Sequence, residues 1–161
     1  MELRTADDTR DLGRRLAAVL RAGDLVILDG PLGAGKTVLA QGIGDGLGVL
    51  GAVTSPTFVI ARVHRPHPTR GRALPLVHVD AYRLGGIAEV DDLDLDTGLE
   101  EAVTVVEWGG GKVERLADAH LLVRLSRHED DSRTAHLRGV GGDWASRLLS
   151  LDLAAGPVGR G

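Results

Sequence analysis

Leu12, Leu16, Val19 and Leu20 fall on one face of a stretch running from Thr5 to Leu20, the spacing of an amphipathic helix. Thr5 or Thr9 can serve as its N-cap, Asp7 and Asp8 suit a first turn, and Gly23 marks its end. Residues 25–28 form a continuous apolar run, as expected of a strand buried on both faces. A glycine-rich loop follows, and residues 36 to about 47 read as a second helix. Further strands are expected over 58–64, 76–80 and 103–107, the last two ending in the carboxylates Asp80 and Glu107. Between the first two of these, residues 65–75 carry three prolines and one glycine and read as a mobile loop. A short acidic helical stretch is expected within 87–102. Residues 120–127 and 134–140 alternate around a polar connection, which predicts a hairpin, and 143–151 predicts a closing helix.

Strands alternating with helices and then a terminal hairpin imply an α/β fold with a mostly parallel central sheet and a C-terminal antiparallel hairpin. The expected organisation is one domain over 1–152 and a disordered tail over 153–161. Ligands of such sheets bind beyond the carboxyl ends of the strands, where the chemistry described below also falls.

Composition narrows the possibilities. The 161 residues suffice for one buried core, and no apolar run approaches the length of a membrane span. The acidic N-terminus is no secretory signal, so a cytoplasmic protein is expected. With no cysteine there are no disulfides, thiolate nucleophiles or Cys-based zinc sites. A net charge of −4 argues against binding nucleic acid by charge alone. The basic residues Arg62, Arg65, Arg70 and Arg72, with His64 and His67, cluster nonetheless, and they read either as solvated loop or as a docking patch.

Gly30-Pro31-Leu32-Gly33-Ala34-Gly35-Lys36-Thr37 fits G-x-x-x-x-G-K-[ST] between a strand and a helix, the context a phosphate-binding P-loop requires. Chance would produce the motif in roughly three in a thousand chains of this composition. The glycines let loop N–H groups converge on phosphate oxygens, Lys36 would reach the β- and γ-phosphates, and Thr37 would ligate Mg²⁺. Val38 continues the binding segment into the helix. The expected cofactors are ATP and Mg²⁺, and the expected fold is the three-layer P-loop NTPase type.

Such a loop needs a carboxylate for its metal shell. Asp80 and Glu107 both qualify, one to bind metal and the other to orient or deprotonate water, or either to cap the next segment. Ser55, Thr57 and their neighbours form a hydroxyl-rich segment able to sense a γ-phosphate, or an ordinary turn. Arg83 pairs with Asp80 or stabilises phosphate charge. His78 alternates with two valines and, lacking an evident partner, reads as structural. Trp108 is expected beside the site.

Gly-Pro-Leu-Gly-Ala-Gly-Lys-Thr at 30–37, Ser-Pro-Thr-Phe at 55–58, His-Val-Asp-Ala-Tyr-Arg-Leu at 78–84 and Val-Glu-Trp at 106–108, in this order, resemble the TsaE (YjeE) family of bacterial ATPases, which take part in making the threonylcarbamoyl modification of tRNA adenosine. The resemblance covers nearly the whole chain. It implies that Thr37 and Glu107 hold Mg²⁺, that Asp80 is needed for hydrolysis, and that 55–58 behaves as a switch. It also implies that Trp108 and Arg133 lie near the nucleotide. The implied partners are TsaD and TsaB type proteins, which would carry out the transfer, with tRNA met only indirectly. Pro31 stands where the family usually has an acidic residue, and Gly109-Gly110-Gly111 replaces its usual polar continuation. A small-molecule kinase, with Asp80 activating an acceptor hydroxyl, is the alternative; a module using ATP only as a structural ligand is a third.

Overall fold

Thr5 opens the first helix. In the computed structural model its hydroxyl accepts from the Asp8 backbone N–H at 3.1 Å, and the Asp8 carboxylate accepts from the Thr5 N–H at 3.1 Å. This reciprocal cap satisfies two donors that a helix start otherwise leaves orphaned. Residues 1–31, 33–51, 53, 61–80, 99–108 and 119–155 are described, with backbone alone for Asp80, Leu99, Trp108 and 152–155. The elements are β1 (Glu2–Leu3), α1 (Ala6–Val19), β2 (Leu25–Asp29), α2 (Lys36–Leu47), β3 (Ala61–His64), β4 (Leu76–Asp80), a 3₁₀ turn (Leu99–Glu101), β5 (Val103–Trp108), β6 (His120–Arg127), β7 (Arg133–Val140) and α3 (Trp144–Ala155). The closing helix therefore extends past Leu151, into the start of the expected tail.

The strands form one sheet in the order β1-β7-β6-β2-β5-β4-β3. Its central four strands, β6, β2, β5 and β4, run parallel. On the flanks β3 is antiparallel to β4, β7 to β6 and β1 to β7. The expected parallel centre and C-terminal antiparallel hairpin are both present, and the antiparallel edge strands β3 and β1 add to them. Antiparallel neighbours need only a loop between them, as 65–75 provides between β3 and β4, whereas parallel neighbours need a longer crossover. Two-residue β1 was not foreseen, because two positions give no alternation to read.

Alternate residues of a strand face opposite ways. Val26, Leu28, Leu76, Val103 and Val105 share a core with Leu12, Leu16, Leu39, Ile43 and Leu47 of α1 and α2. Ile27, Val77, Val79 and Val106, at the intervening positions, are also buried. Helix α1 packs on α2 and touches α3, so the described helices make one layer on one face. The acidic helical stretch expected within 87–102 is seen only as the 3₁₀ turn, and the rest of it lies outside the described residues.

Glycines set how closely α1 and α2 approach. A Cβ on Gly42 would lie 2.1 Å from the Arg10 carbonyl oxygen, one on Gly13 2.5 Å from the Leu39 carbonyl oxygen, and one on Gly46 2.5 Å from the Ala17 Cβ. The backbones therefore meet almost directly, and α2 is held against α1 over its whole length.

Residues 65–75 are not the free loop that their prolines predict. Leu50 N–H donates to the Arg65 carbonyl at 2.8 Å, His67 N–H to Gly48 at 3.2 Å and Arg72 N–H to Leu47 at 3.1 Å. The Arg72 guanidinium donates to the carbonyls of Ala17 and Leu20 at 2.6 and 2.5 Å, filling acceptors that the end of α1 leaves open. One arginine of the basic cluster is thus engaged in the fold.

His64, at the end of β3, is buried, and among the described residues its Nε2 has no partner. Burial holds its pKa below the usual 6.5, and the neighbouring His78 and Arg62 act the same way against a hydrogen bond with the Leu50 backbone. The unfolded chain takes up this proton first. The stability His64 confers is therefore present above about pH 6.5 and is lost as pH falls through its lower folded value.

Two predictions follow from packing and burial. Gly42→Ala should lower unfolding free energy by about 1–3 kcal/mol in denaturant titration, because overpacking outweighs the gain of up to about 1 kcal/mol that alanine brings to a helix. The denaturation midpoint should fall as pH drops below 6.5, and it should fall less steeply in His64→Gln.

Candidate functional site

Residues 30–35 carry the chain from the end of β2 into α2. Gly33 and Gly35 have φ of 82° and 102°, in the left-handed region that favours glycine. Gly30 is needed for closeness instead, since a Cβ there would lie 2.7 Å from the Leu125 carbonyl oxygen. Ala34 is buried and donates its N–H to the Pro31 carbonyl at 3.1 Å, while Thr37 and Val38 sit half-buried in the first turn of α2. Gly35, the N-cap, has no side chain to cap this helix start, a geometry suited to an anion. Leu32 lies outside the described residues.

Lys36 is only 7% exposed. Its ammonium donates to the Gly30 carbonyl at 2.5 Å and the Pro31 carbonyl at 3.1 Å, so it arches over its own loop. A buried cation needs such acceptors, and these carbonyls hold it where an incoming anion would be met.

Facing it, Glu107 is 6% exposed near the end of β5. The Thr37 hydroxyl lies 3.1 Å from Oε1 and 3.4 Å from Oε2. The His78 Nε2 lies 2.5 Å from Oε2. Register explains the meeting. Asp80 of β4 stands directly opposite Glu107 of β5, and His78 opposite Val105, so His78, Asp80 and Glu107 belong to one face of the sheet. Leu28 of β2 is the other neighbour of Glu107, which puts the carboxylate beside the strand that feeds the glycine loop.

The sequence reading of His78 as a residue without a partner is therefore corrected. The missed signal was parity: His78 and Asp80 are two apart on one strand, so a histidine on the carboxylate face was legible. Thr37 and Glu107, expected together, are brought together. Trp108 ends β5 opposite Asp29. Ser55, Thr57 and Arg83 lie outside the described residues, as does Gly109-Gly110-Gly111.

The β6–β7 hairpin brings arginines to the same loop. Its turn is closed by His128 N–H donating to the Ser132 carbonyl at 2.9 Å, and by Ser132 Oγ donating to Asp130 at 2.6 Å. Arg133 then donates to the Gly33 carbonyl at 3.1 Å and to the Asp131 carbonyl. Arg127, not singled out in the sequence, comes within 3.4 Å of where a Gly33 Cβ would stand. It pairs with Asp131 at 2.6 Å, and this hydrogen bond, with the guanidinium charge, holds the Asp131 carboxyl below its usual range. Arg124 pairs with Asp29 at 3.1 Å, just before the loop. Nothing in the spacing of β6 marked Arg124 or Arg127, because only the pairing of β6 with β2 brings them to the loop.

Backbone donors, a lysine and arginines thus surround a loop beside a carboxylate–hydroxyl pair. That set is complementary to an oxyanion and a hard divalent cation together. Among the described residues no group of three or more His, Asp or Glu side chains forms a metal cluster.

The family model for "Threonylcarbamoyl adenosine biosynthesis protein TsaE" matches residues 3–135. The chain belongs to the TsaE family. A TsaE protein of Streptomyces coelicolor is 58% identical over 147 residues, 88% of this chain and 97% of that protein. The TsaE protein of Bacillus subtilis is 35% identical over 136 residues, covering 84% and 82%. Both are named tRNA threonylcarbamoyladenosine biosynthesis proteins. The crystal structure of Bacillus subtilis YdiB superposes with a TM-score of 0.73 at 28% identity, covering 94% of this chain and 91% of that one. Among the described residues of this TsaE-family chain no helix is long and apolar enough to cross a membrane.

Because Arg133 ties the hairpin to Gly33, Arg133→Met should speed amide hydrogen exchange at Gly33–Gly35. Arg138→Met, farther along β7, should leave those amides unchanged.

Proposed function

We propose that this TsaE-family chain binds Mg-ATP at residues 30–38 and hydrolyses it slowly as a component of the tRNA threonylcarbamoyladenosine machinery. It acts with TsaD and TsaB type partners, which perform the transfer, meets tRNA only through them, and works in the cytoplasm. The observation that carries the reading is the Thr37–Glu107 contact at 3.1 Å beside the Lys36-spanned glycine loop.

The donor set fits the cofactor. A hydroxyl and a carboxylate are the hard oxygen ligands Mg²⁺ accepts, and Mg²⁺ characteristically completes its octahedron with phosphate and water oxygens. Bound there, Mg²⁺ would neutralise charge developing on the phosphates. Lys36 would exchange the Gly30 and Pro31 carbonyls for phosphate oxygens, and the loop N–H groups would orient the same phosphates. Arg133, with Arg127 beside it, adds positive charge at the rim. Asp80, in register with Glu107, is the candidate for orienting the attacking water. Ser55, Thr57 and Trp108 complete the proposed nucleotide contacts. The net charge of −4 and the engagement of Arg72 with α1 favour indirect contact with tRNA. The names of the relatives support the pathway.

ATP turnover by the purified protein should rise on adding TsaD, TsaB and tRNA, and should fall at least ~100-fold in Lys36→Ala and Glu107→Ala, the loss typical of removing one charge-stabilising group. Phosphate transferred to a metabolite instead of water, or turnover indifferent to both the partners and Lys36, would overturn the reading.

A further inference from the structure

His78 belongs to no part of the reaction proposed above, yet its position is costly. The rest of β4 before Asp80 is Leu76, Val77 and Val79, and an apolar residue at 78 would suit that core. Instead an imidazole with no exposed surface occupies it, and among the described residues its Nδ1 has no hydrogen-bond partner. An unsatisfied buried polar atom opposes folding. What the imidazole does gain is one short contact, Nε2 to Glu107 Oε2 at 2.5 Å. With the carboxylate accepting, the matched tautomer carries its proton on Nε2.

Glu107 reaches the site on a side chain with several free torsions, and its two oxygens are not equivalent. Oε2 is taken by His78, whereas Oε1 is nearer the Thr37 hydroxyl, at 3.1 Å against 3.4 Å. Fixing one oxygen fixes the direction of the other. A partner that orients a ligating carboxylate typically governs metal affinity by about 10- to 100-fold.

We infer that His78 is a positioning residue: by holding Glu107 Oε2 it aims Oε1 at the place beside Thr37 where Mg²⁺ is to sit. This rests on the Mg-ATP reading. His78 acts through Glu107 and touches no nucleotide, so its effect belongs to the metal-dependent part of binding alone.

The test is calorimetric titration of ATP onto the full chain, in excess Mg²⁺ and in EDTA, for the unaltered protein, His78→Leu, His78→Gln and His78→Asn. Glutamine presents an N–H donor near the Nε2 position, asparagine is too short to reach Glu107, and leucine has no donor. The gain in affinity on adding Mg²⁺ should shrink about 10- to 100-fold in the leucine and asparagine variants. Affinity in EDTA, which reports an intact loop, should not change, and glutamine should restore most of the gain. Mn²⁺ bound in place of Mg²⁺ should show the same order by electron paramagnetic resonance. An undiminished Mg²⁺ gain in the leucine variant, an equal loss in both media, or glutamine no better than asparagine would overturn the assignment. Should His78→Leu not fold, the glutamine and asparagine comparison decides alone. Absence of any Mg²⁺ gain in the unaltered protein would instead remove the Mg-ATP reading, and this inference with it.

Discussion

A carboxylate withdrawn from water near the end of β5 is the constraint to which the centre of this fold answers. Removing an ionised group from solvent costs several kcal/mol unless hydrogen bonds replace the lost water. Glu107 finds them in two elements far apart in sequence, the Thr37 hydroxyl of α2 and the His78 imidazole of β4. Both are available only if β5 lies between β2 and β4 and runs parallel to each, as the register provides. Sheet order and site chemistry are therefore one requirement.

The supports around that centre work by close approach and by filling open backbone acceptors. Backbone contact across Gly13, Gly42 and Gly46 holds α2 along α1. Arg72 closes the end of α1 from one side. From another, Arg147 of α3 donates to Asp24 at 2.5 Å and Val19 at 3.3 Å, lying over Trp144 at 4.3 Å from its ring centre. Arginine suits these places because one planar fork can donate in several directions at once. The chain has two lysines against seventeen arginines (19 basic residues less Lys36 and Lys112). Among the described residues Arg72 and Arg147 serve the scaffold, Arg124, Arg127 and Arg133 stand at the rim of the glycine loop, and Lys36 spans it.

Much of this was legible in the residues. The amphipathic face of α1, the apolar run of β2 and the motif at 30–37 announce themselves locally, since each is a pattern within one element. A P-loop's need for a carboxylate leaves Asp80 and Glu107 both open, the family resemblance points to Glu107, and the Thr37–Glu107 contact is present. What escaped were facts of pairing. The antiparallel pairing of β3 with β4 and of β1 with β7 depends on which strands become neighbours. His78 depends on a diagonal reach between two strands. Arg127 depends on β6 lying beside β2, and the anchoring of 65–75 on acceptors at the ends of α1 and α2. Prolines there suggest freedom, whereas hydrogen bonds to other elements decide whether such a segment moves.

The glycine contact between α1 and α2 also bears on heredity. Gly42 faces the α1 backbone rather than the proposed ligand, yet any larger residue there would push on the helix whose first turn carries Thr37. A missense change at Gly42 would thus act through the packing of α2 on α1, with no ligand-facing atom altered. A residue larger than glycine on either side of this seam would need space from the other helix.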